Sequence, residues 1–194
     1  MSRQAGLSAK ITAHSTSIMC QDTDLKGDIT ISEGVVIHPK ATILALGGPI
    51  EVGKNCIIEE GAIIINRSPN VLRIGEYNQF MVGCRTSHIY FADWTGIEAD
   101  SIGDWNTFQP RSTVSAGLVI SNHCTFSAGT TSFPASSHTH EASDGLQTET
   151  ETIPPYTVVY GANSDKRKWD GTNQLAEQNL REKHIEYLRE IVPK

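Results

Sequence analysis

A chain of 194 residues, 38% hydrophobic and 20% charged, is long enough for one domain with a sizeable core and an appendage. Its formal net charge of -6 argues against a nucleic-acid or anionic-membrane partner, since either favours a basic face. No apolar run approaches the roughly 20 residues of a membrane span, so membrane insertion is not expected. The opening stretch "MSRQAGLSAKITAHSTS" lacks the apolar core of a signal peptide, which points to the cytoplasm.

From Leu25 onward the chain carries a six-residue period. Leu25, Ile31, Ile37 and Ile43 are the first markers. The period restarts at Val52, Ile58 and Ile64, and again at Ile74, Phe80 and, weakly, Thr86. It then runs without a gap through Ile102, Phe108, Val114, Ile120 and Phe126, and returns at Ile153 and Val159. Neither a helix period of 3.6 nor a strand period of 2 places large side chains every sixth residue. Four residues after the marker stand small or medium side chains, including Ala41, Cys56, Ala62, Cys84 and Cys124. These cysteines, and Cys20, form no CxxC pair and read as buried small residues in a reducing cytosol. Gly34, Gly61, Gly117 and Gly129 fall three after the marker, where a corner can use positive φ.

The architecture with this period is an all-β solenoid, a parallel β-helix of hexapeptide repeats. Each hexad makes a short strand and a corner, and three close a triangular coil with the markers pointing inward. Such helices are left-handed as a class; the spacing alone does not fix the hand.

The interruptions belong at corners, where a bulge leaves the inner columns intact. They are "LGGP" at 46–49, "RSPNVL" at 67–72, "YFADWTGIEADS" at 90–101 and a polar stretch at 127–152. The third is long enough to hide a degenerate hexad. The last, rich in Ser and Thr, is expected to be a flexible excursion. The β-helix domain therefore spans 8–162, followed by a charged connector at 163–171 and an amphipathic C-terminal α-helix at 172–192. Thr172 or Asn173 is the expected N-cap, and Pro193 the stop. Leu180, His184, Leu188 and Ile191 share a helical stripe, with Tyr187 beside it. These five residues either cover the solenoid wall in cis or bind a partner in trans.

Hexapeptide β-helices host two common chemistries: acyl transfer with a histidine base between subunits, and the γ-class carbonic anhydrase with zinc on three histidines. The seven histidines here include no pair five apart. "FMVGCRTS" at 80–87 stands where the γ-class pair would lie, and Asn66 lies near the place of the first zinc ligand. His138 and His140, two apart in the polar stretch, read as solvated. His38, beside Pro39, reads as a surface histidine, since no oriented acidic partner is visible, with an acyltransferase-like base as the alternative. Lys26-Gly27-Asp28 replaces the γ-class Arg-Gly-Asp and reads as a corner ion pair. No nucleophile elbow, P-loop or dinucleotide fingerprint is present. The residues thus point to no catalytic site, no cofactor and no metal, with a γ-class-like or acyltransferase-like enzyme as the alternative.

Several stretches resemble the dynactin subunit 6 family. They are Lys26 to Ile31 (K-G-D-I-T-I), Val36 to Ala41 (V-I-H-P-K-A), Gly48 to Ile50, Ile58 to Glu60 and Ile64 to Asn66. "IGEYNQFMVGC" at 74–84 and "TVVYGA" at 157–162 match further on. The resemblance covers about residues 8 to 165 plus a helix in a similar place. It implies a non-catalytic subunit of the dynactin pointed-end complex, in the cytoplasm on the cytoskeleton, supporting dynein-driven microtubule transport and cargo attachment. The implied partners are dynactin subunit 5, itself a hexapeptide β-helix, dynactin subunit 4 and the actin-related protein of the pointed end, with dynein reached indirectly. The chain departs in a short corner after Asn66 and an enlarged 127–152 stretch.

Overall fold

The computed structural model describes residues 9–86, 101–134 and 150–192. Strands of two to four residues, each ending in a corner, stack into three parallel sheets that form the walls of a triangular prism. Face A holds β1 (Lys10–Ala13), β4 (Asp28–Ile31), β7 (Ile50–Val52), β10 (Leu72–Ile74), β13 (Ser101–Ile102), β16 (Leu118–Ile120) and β19 (Glu151–Ile153). Face B holds β2 (Ile18–Met19), β5 (Val36–Ile37), β8 (Ile57–Ile58), β11 (Gln79–Phe80), β14 (Thr107–Phe108), β17 (Thr125–Phe126), β20 (Thr157–Tyr160) and β21 (Asp165–Lys168). Face C holds β3 (Asp24–Lys26), β6 (Thr42–Ala45), β9 (Ile63–Asn66), β12 (Arg85–Thr86), β15 (Thr113–Val114) and β18 (Thr131–Ser132). One helix, α1 (Gln174–Ile191), follows.

The hexad markers build the core. From Ile31 to Val159 every apolar marker is at most 3% exposed, while Leu25, near the first-coil end, is half-buried. The ladder register stacks them in columns, and one runs Met19, Ile37, Ile58, Phe80, Phe108, Phe126, Val159 up face B. Its three phenylalanine rings lie nearly parallel, with centroids 4.7 and 5.1 Å apart. Such pairs add about 0.5–1.5 kcal/mol to the burial of each ring.

The repeat reaches further than the aliphatic pattern indicates. Ala13 and Met19 continue it upstream, at the ends of β1 and β2. Downstream, Ser132 sits six after Phe126, 1% exposed and paired with Val114. Residues 127–134 and 151–152 therefore belong to the solenoid, and residues 135–149 of the stretch expected as an excursion lie outside the described residues. Ser132 escapes an aliphatic search because its slot holds a hydroxyl, which is buried without a hydrogen-bond partner among the described residues. The degenerate hexad expected within 90–101 falls largely outside the described residues; the ladder passes from Ile74 directly to Ile102.

The segment expected as a connector contains β21, which pairs antiparallel with β20, Thr157 opposite Lys168 through Tyr160 opposite Asp165. A solenoid must end in an open row of backbone groups, a template for another chain. This strand covers that row on face B with a charged sequence, Asp-Lys-Arg-Lys. All four residues are exposed, so no periodic apolar signal marks the strand. Lys166 pairs with Glu151, and the Ser164 hydroxyl donates to the Thr131 carbonyl, tying the cap to faces A and C.

Ile120 stands 1% exposed in the inner column of face A. Ile120→Asp puts an unpaired carboxylate there and is expected to cost more than about 3 kcal/mol, read as a large drop in chemical-denaturation midpoint. A midpoint equal to the parent's contradicts the inward register.

Candidate functional site

The positions where hexapeptide enzymes keep their chemistry are occupied by structural contacts. Asn66 is 1% exposed. Its amide donates to the carbonyls of Gly48 (3.1 Å), Pro49 (2.9 Å) and Asn70 (2.8 Å), and its Oδ1 accepts from the Ser68 backbone N–H at 3.0 Å. It staples the two corner insertions together, with both ends of its amide engaged. The expected ion pair between Lys26 and Asp28 does not form. Lys26 bonds Asp24 at 2.9 Å, and Asp28 bonds Lys10 at 2.9 Å. Gly27 bends between them at φ 89°, where a Cβ would lie 2.1 Å from the Ala45 carbonyl. His138 and His140 lie outside the described residues. Among the described residues no three His, Cys, Asp or Glu side chains converge as a metal site.

The four cysteines are buried, and no disulfide joins them. Burial pushes the Cys56 and Cys84 thiols up to about 12, and the Cys56 thiol donates to the Gly75 carbonyl at 3.1 Å. They are thiols at neutral pH, without nucleophilic character. His38 has its Nε2 buried without a hydrogen-bond partner among the described residues. Burial lowers its pKa, Glu59 and Glu60 oppose this, and His184 on α1 reinforces it. A general base must reach the proton it takes; this nitrogen is sealed.

What these corners build instead is a seam for the helix. At the corner between faces A and B, Tyr77, Trp105, His123 and Tyr156 occupy successive coils with φ between 55° and 62°. Left-handed backbone costs a non-glycine residue roughly 1–2 kcal/mol. The four rings stack, with centroids 4.1, 6.3 and 4.9 Å apart, and Trp169 closes the column at 6.0 Å from Tyr156. The stacking offsets part of the strain. Just inside, Asn78 and Asn106 form a second ladder. The Asn106 N–H donates to Asn78 Oδ1 at 2.9 Å and the Cys124 N–H to Asn106 Oδ1 at 2.7 Å. Neither column follows the aliphatic marker; their signal is the repeated Asn of "IGEYN" and "IGDWN" with an aromatic before it.

α1 lies against this seam and face B. Ile185 and Leu188 (4% and 5% exposed) pack on Val36 and Ile57, which point outward from β5 and β8, with Tyr77 and Val192 alongside. Arg181, 6% exposed, is the pin. Its Nη1 donates to the carbonyls of Tyr77 (2.7 Å) and Asn106 (3.1 Å), and its Nη2 to Thr107 Oγ1 (2.5 Å). Burial pushes its pKa down, and Glu177, 3.7 Å away, opposes this. Near the start of the helix, Gln174 Nε2 lies 3.2 Å from His123 Nε2. Neither Thr172 nor Asn173 caps the helix with its side chain. Asn173 is left-handed with no side-chain cap bond, and Asp170 instead accepts the Thr172 N–H at 2.9 Å.

The helix therefore docks in cis, on a stripe of Arg181, Ile185 and Leu188 rather than Leu180, His184, Leu188 and Ile191. Of the five partner candidates, Leu188 is used internally and His184 is half-buried at the edge. Leu180, Tyr187 and Ile191 face outward at 70%, 57% and 53% exposure. The apolar count misplaced the stripe by about a quarter turn because its central buried residue is an arginine.

Arg181→Met strands the Tyr77 carbonyl, leaves the Asn106 carbonyl with the Gln79 N–H alone, and is expected to cost about 1–3 kcal/mol of local stability. Hydrogen exchange should accelerate across 174–191 and stay slow in the strands; unchanged helix protection contradicts the pin. A second expectation concerns pH. His38 and His123 both have folded pKa values below the ordinary histidine value, chiefly through burial. The unfolded chain then binds more protons as pH falls through about 6.5, so their contribution is full above that value and declines on acidification. His38→Gln with His123→Asn should flatten the pH dependence of the melting temperature between about pH 7 and pH 5. An unchanged slope contradicts the assignment.

No protein-family profile matches the sequence. The chain is 33% identical to dynactin subunit 6 of Nematostella vectensis, covering 95% of this chain and 89% of that protein. It is 30% identical to dynactin subunit 6 of Danio rerio, covering 96% and 85%. Among solved structures it resembles a hexapeptide transferase family protein from Anaplasma phagocytophilum, at a TM-score of 0.60 and 16% identity over 94% of this chain and 93% of that one. The structural likeness establishes the left-handed hexapeptide β-helix; the sequence likeness, spanning nearly the whole of both chains, goes further. The chain belongs to the dynactin subunit 6 family.

Proposed function

We propose that the chain is a non-catalytic structural and interaction subunit of the dynactin pointed-end complex, supporting dynein-driven microtubule transport and cargo attachment. It works in the cytoplasm, on the cytoskeleton. The observation that carries this is the engagement of Asn66, Lys26 and Asp28 in structural contacts, and the burial of His38 Nε2, where hexapeptide enzymes would place their working groups. The partners are dynactin subunit 5, dynactin subunit 4 and the actin-related protein of the pointed end, with dynein engaged indirectly. The role requires no cofactor, nucleic acid or membrane insertion. No described helix is long and apolar enough to cross a membrane. The outward side chains Leu180, Tyr187 and Ile191, with His184 at their edge, form a partner contact, and Leu188 holds their helix in place from within.

The competing reading is a γ-class-like or acyltransferase-like enzyme, favoured by the fold shared with a hexapeptide transferase family protein. One purification separates the two. Native isolation of the tagged chain should recover a second hexapeptide subunit and an actin-related protein in fixed ratio, without bound zinc. A homotrimer carrying one zinc per subunit interface would overturn the structural reading.

A further inference from the structure

The three walls of the prism are not equivalent. Face A is polar: Thr30, Glu51 and Arg73 point out and are exposed, and Glu51 pairs with Arg73 across the rungs at 3.2 Å. The first coils of face B lie under α1, where Val36 and Ile57 are fully buried. Face C is neither charged throughout nor covered by regular structure among the described residues. Because Ile43 and Ile64 point inward, their neighbours Leu44, Ile63 and Ile65 point outward, where they are half-buried. Leu44 stands opposite Ile65 in the ladder, and Leu46 extends the patch at 38% exposure. Arg85, opposite Ile63, and Arg111 at the adjoining corner are exposed. Neither has a carboxylate within ion-pair distance among the described residues. An apolar centre beside unneutralised cations is the anatomy of an interface.

We infer that face C is the docking wall for the flat β-wall of a second, different hexapeptide solenoid bearing acidic side chains opposite Arg85 and Arg111. The inference rests on the partnership proposed above and names its surface. Six rungs at about 4.8 Å stand about 29 Å tall, and a hexad at about 3.3 Å per residue is about 20 Å wide. The flat area, about 600 Å², is of the order of the ~800 Å² per partner in a standard interface. A single helix, about 10 Å across, covers half of that width. A second solenoid wall matches both its flatness and its rung spacing. A second copy of this chain fits less well, since isologous pairing brings two more uncompensated guanidinium groups into the same contact.

The test is site-specific photocrosslinking of the full chain mixed with dynactin subunit 5. A benzophenone side chain replaces Thr113, outward on face C, or Thr30, outward on face A. Capture of subunit 5 from position 113 and not from 30 is expected. Leu44→Glu with Ile65→Glu should weaken binding at least tenfold with the melting temperature kept, and Arg85→Glu should slow association and remove its salt dependence. Capture from position 30 alone overturns the choice of wall while leaving the partnership intact. Crosslinked dimers of this chain from position 113 overturn the choice of occupant. Failure of the unsubstituted chain to bind subunit 5 by any measure removes the partnership itself.

Discussion

Every rung of the prism must bring its inward side chain over the one below, because a coil pairs with its neighbours along all three walls. This stacking constraint governs the rest of the structure. It demands one large apolar residue at each strand end and a small one two positions earlier, so that Cys56, Ala62 and Cys124 share a slot with Ser112 and Thr130. It also confines insertions to corners, since a residue added within a strand would push every later marker out of its column. The chain uses that freedom twice in adjacent coils, at 46–49 and 67–71, and locks both bulges with the single amide of Asn66.

Under the docking role proposed above, the same constraint moves function to the outside. The interior is filled by aliphatic and phenylalanine columns and has no room for a substrate. The corner between faces A and B is taken up by the aromatic stack and the asparagine ladder. What remains is three walls and two ends. One wall seats the chain's own helix, one end carries an antiparallel charged strand, and the helix presents Leu180, Tyr187 and Ile191 outward. A rigid prism with few moving parts suits a scaffold, where the position of each docking wall matters more than its motion.

The inner columns were legible in the sequence because aliphatic side chains at a fixed interval have no other physical explanation. Their limits were not. Ser132 fills such a slot with a hydroxyl, and Ala13, exposed at the first-coil end, continues the register with a side chain too small to mark it. β21 was hidden because an exposed edge strand of lysine and arginine looks like a linker. The helix was found, but its buried face was misjudged: Arg181 buries a guanidinium by spending its donors on backbone carbonyls 104 and 75 residues away in sequence, a long-range arrangement no local pattern can report. The absence of a γ-class histidine pair could be read directly; that Asn66, near the place of the first zinc ligand, has a structural task shows only in the folded chain. Lys26 and Asp28 show the reverse error, since proximity in sequence suggested a pair that the bend at Gly27 directs toward different partners.

As proposed above, inner positions hold the fold and outer positions serve docking, with nothing reserved for turnover. A saturation scan of the whole chain in cells, scored for both protein abundance and incorporation into the endogenous complex, tests it most directly. The account predicts that substitutions at inward positions such as Ile58 and Phe108 lose abundance, while outward positions on the walls and helix lose incorporation at normal abundance. Outward positions indifferent to both scores, with sensitivity gathered instead around a few exposed histidines or carboxylates, would contradict it.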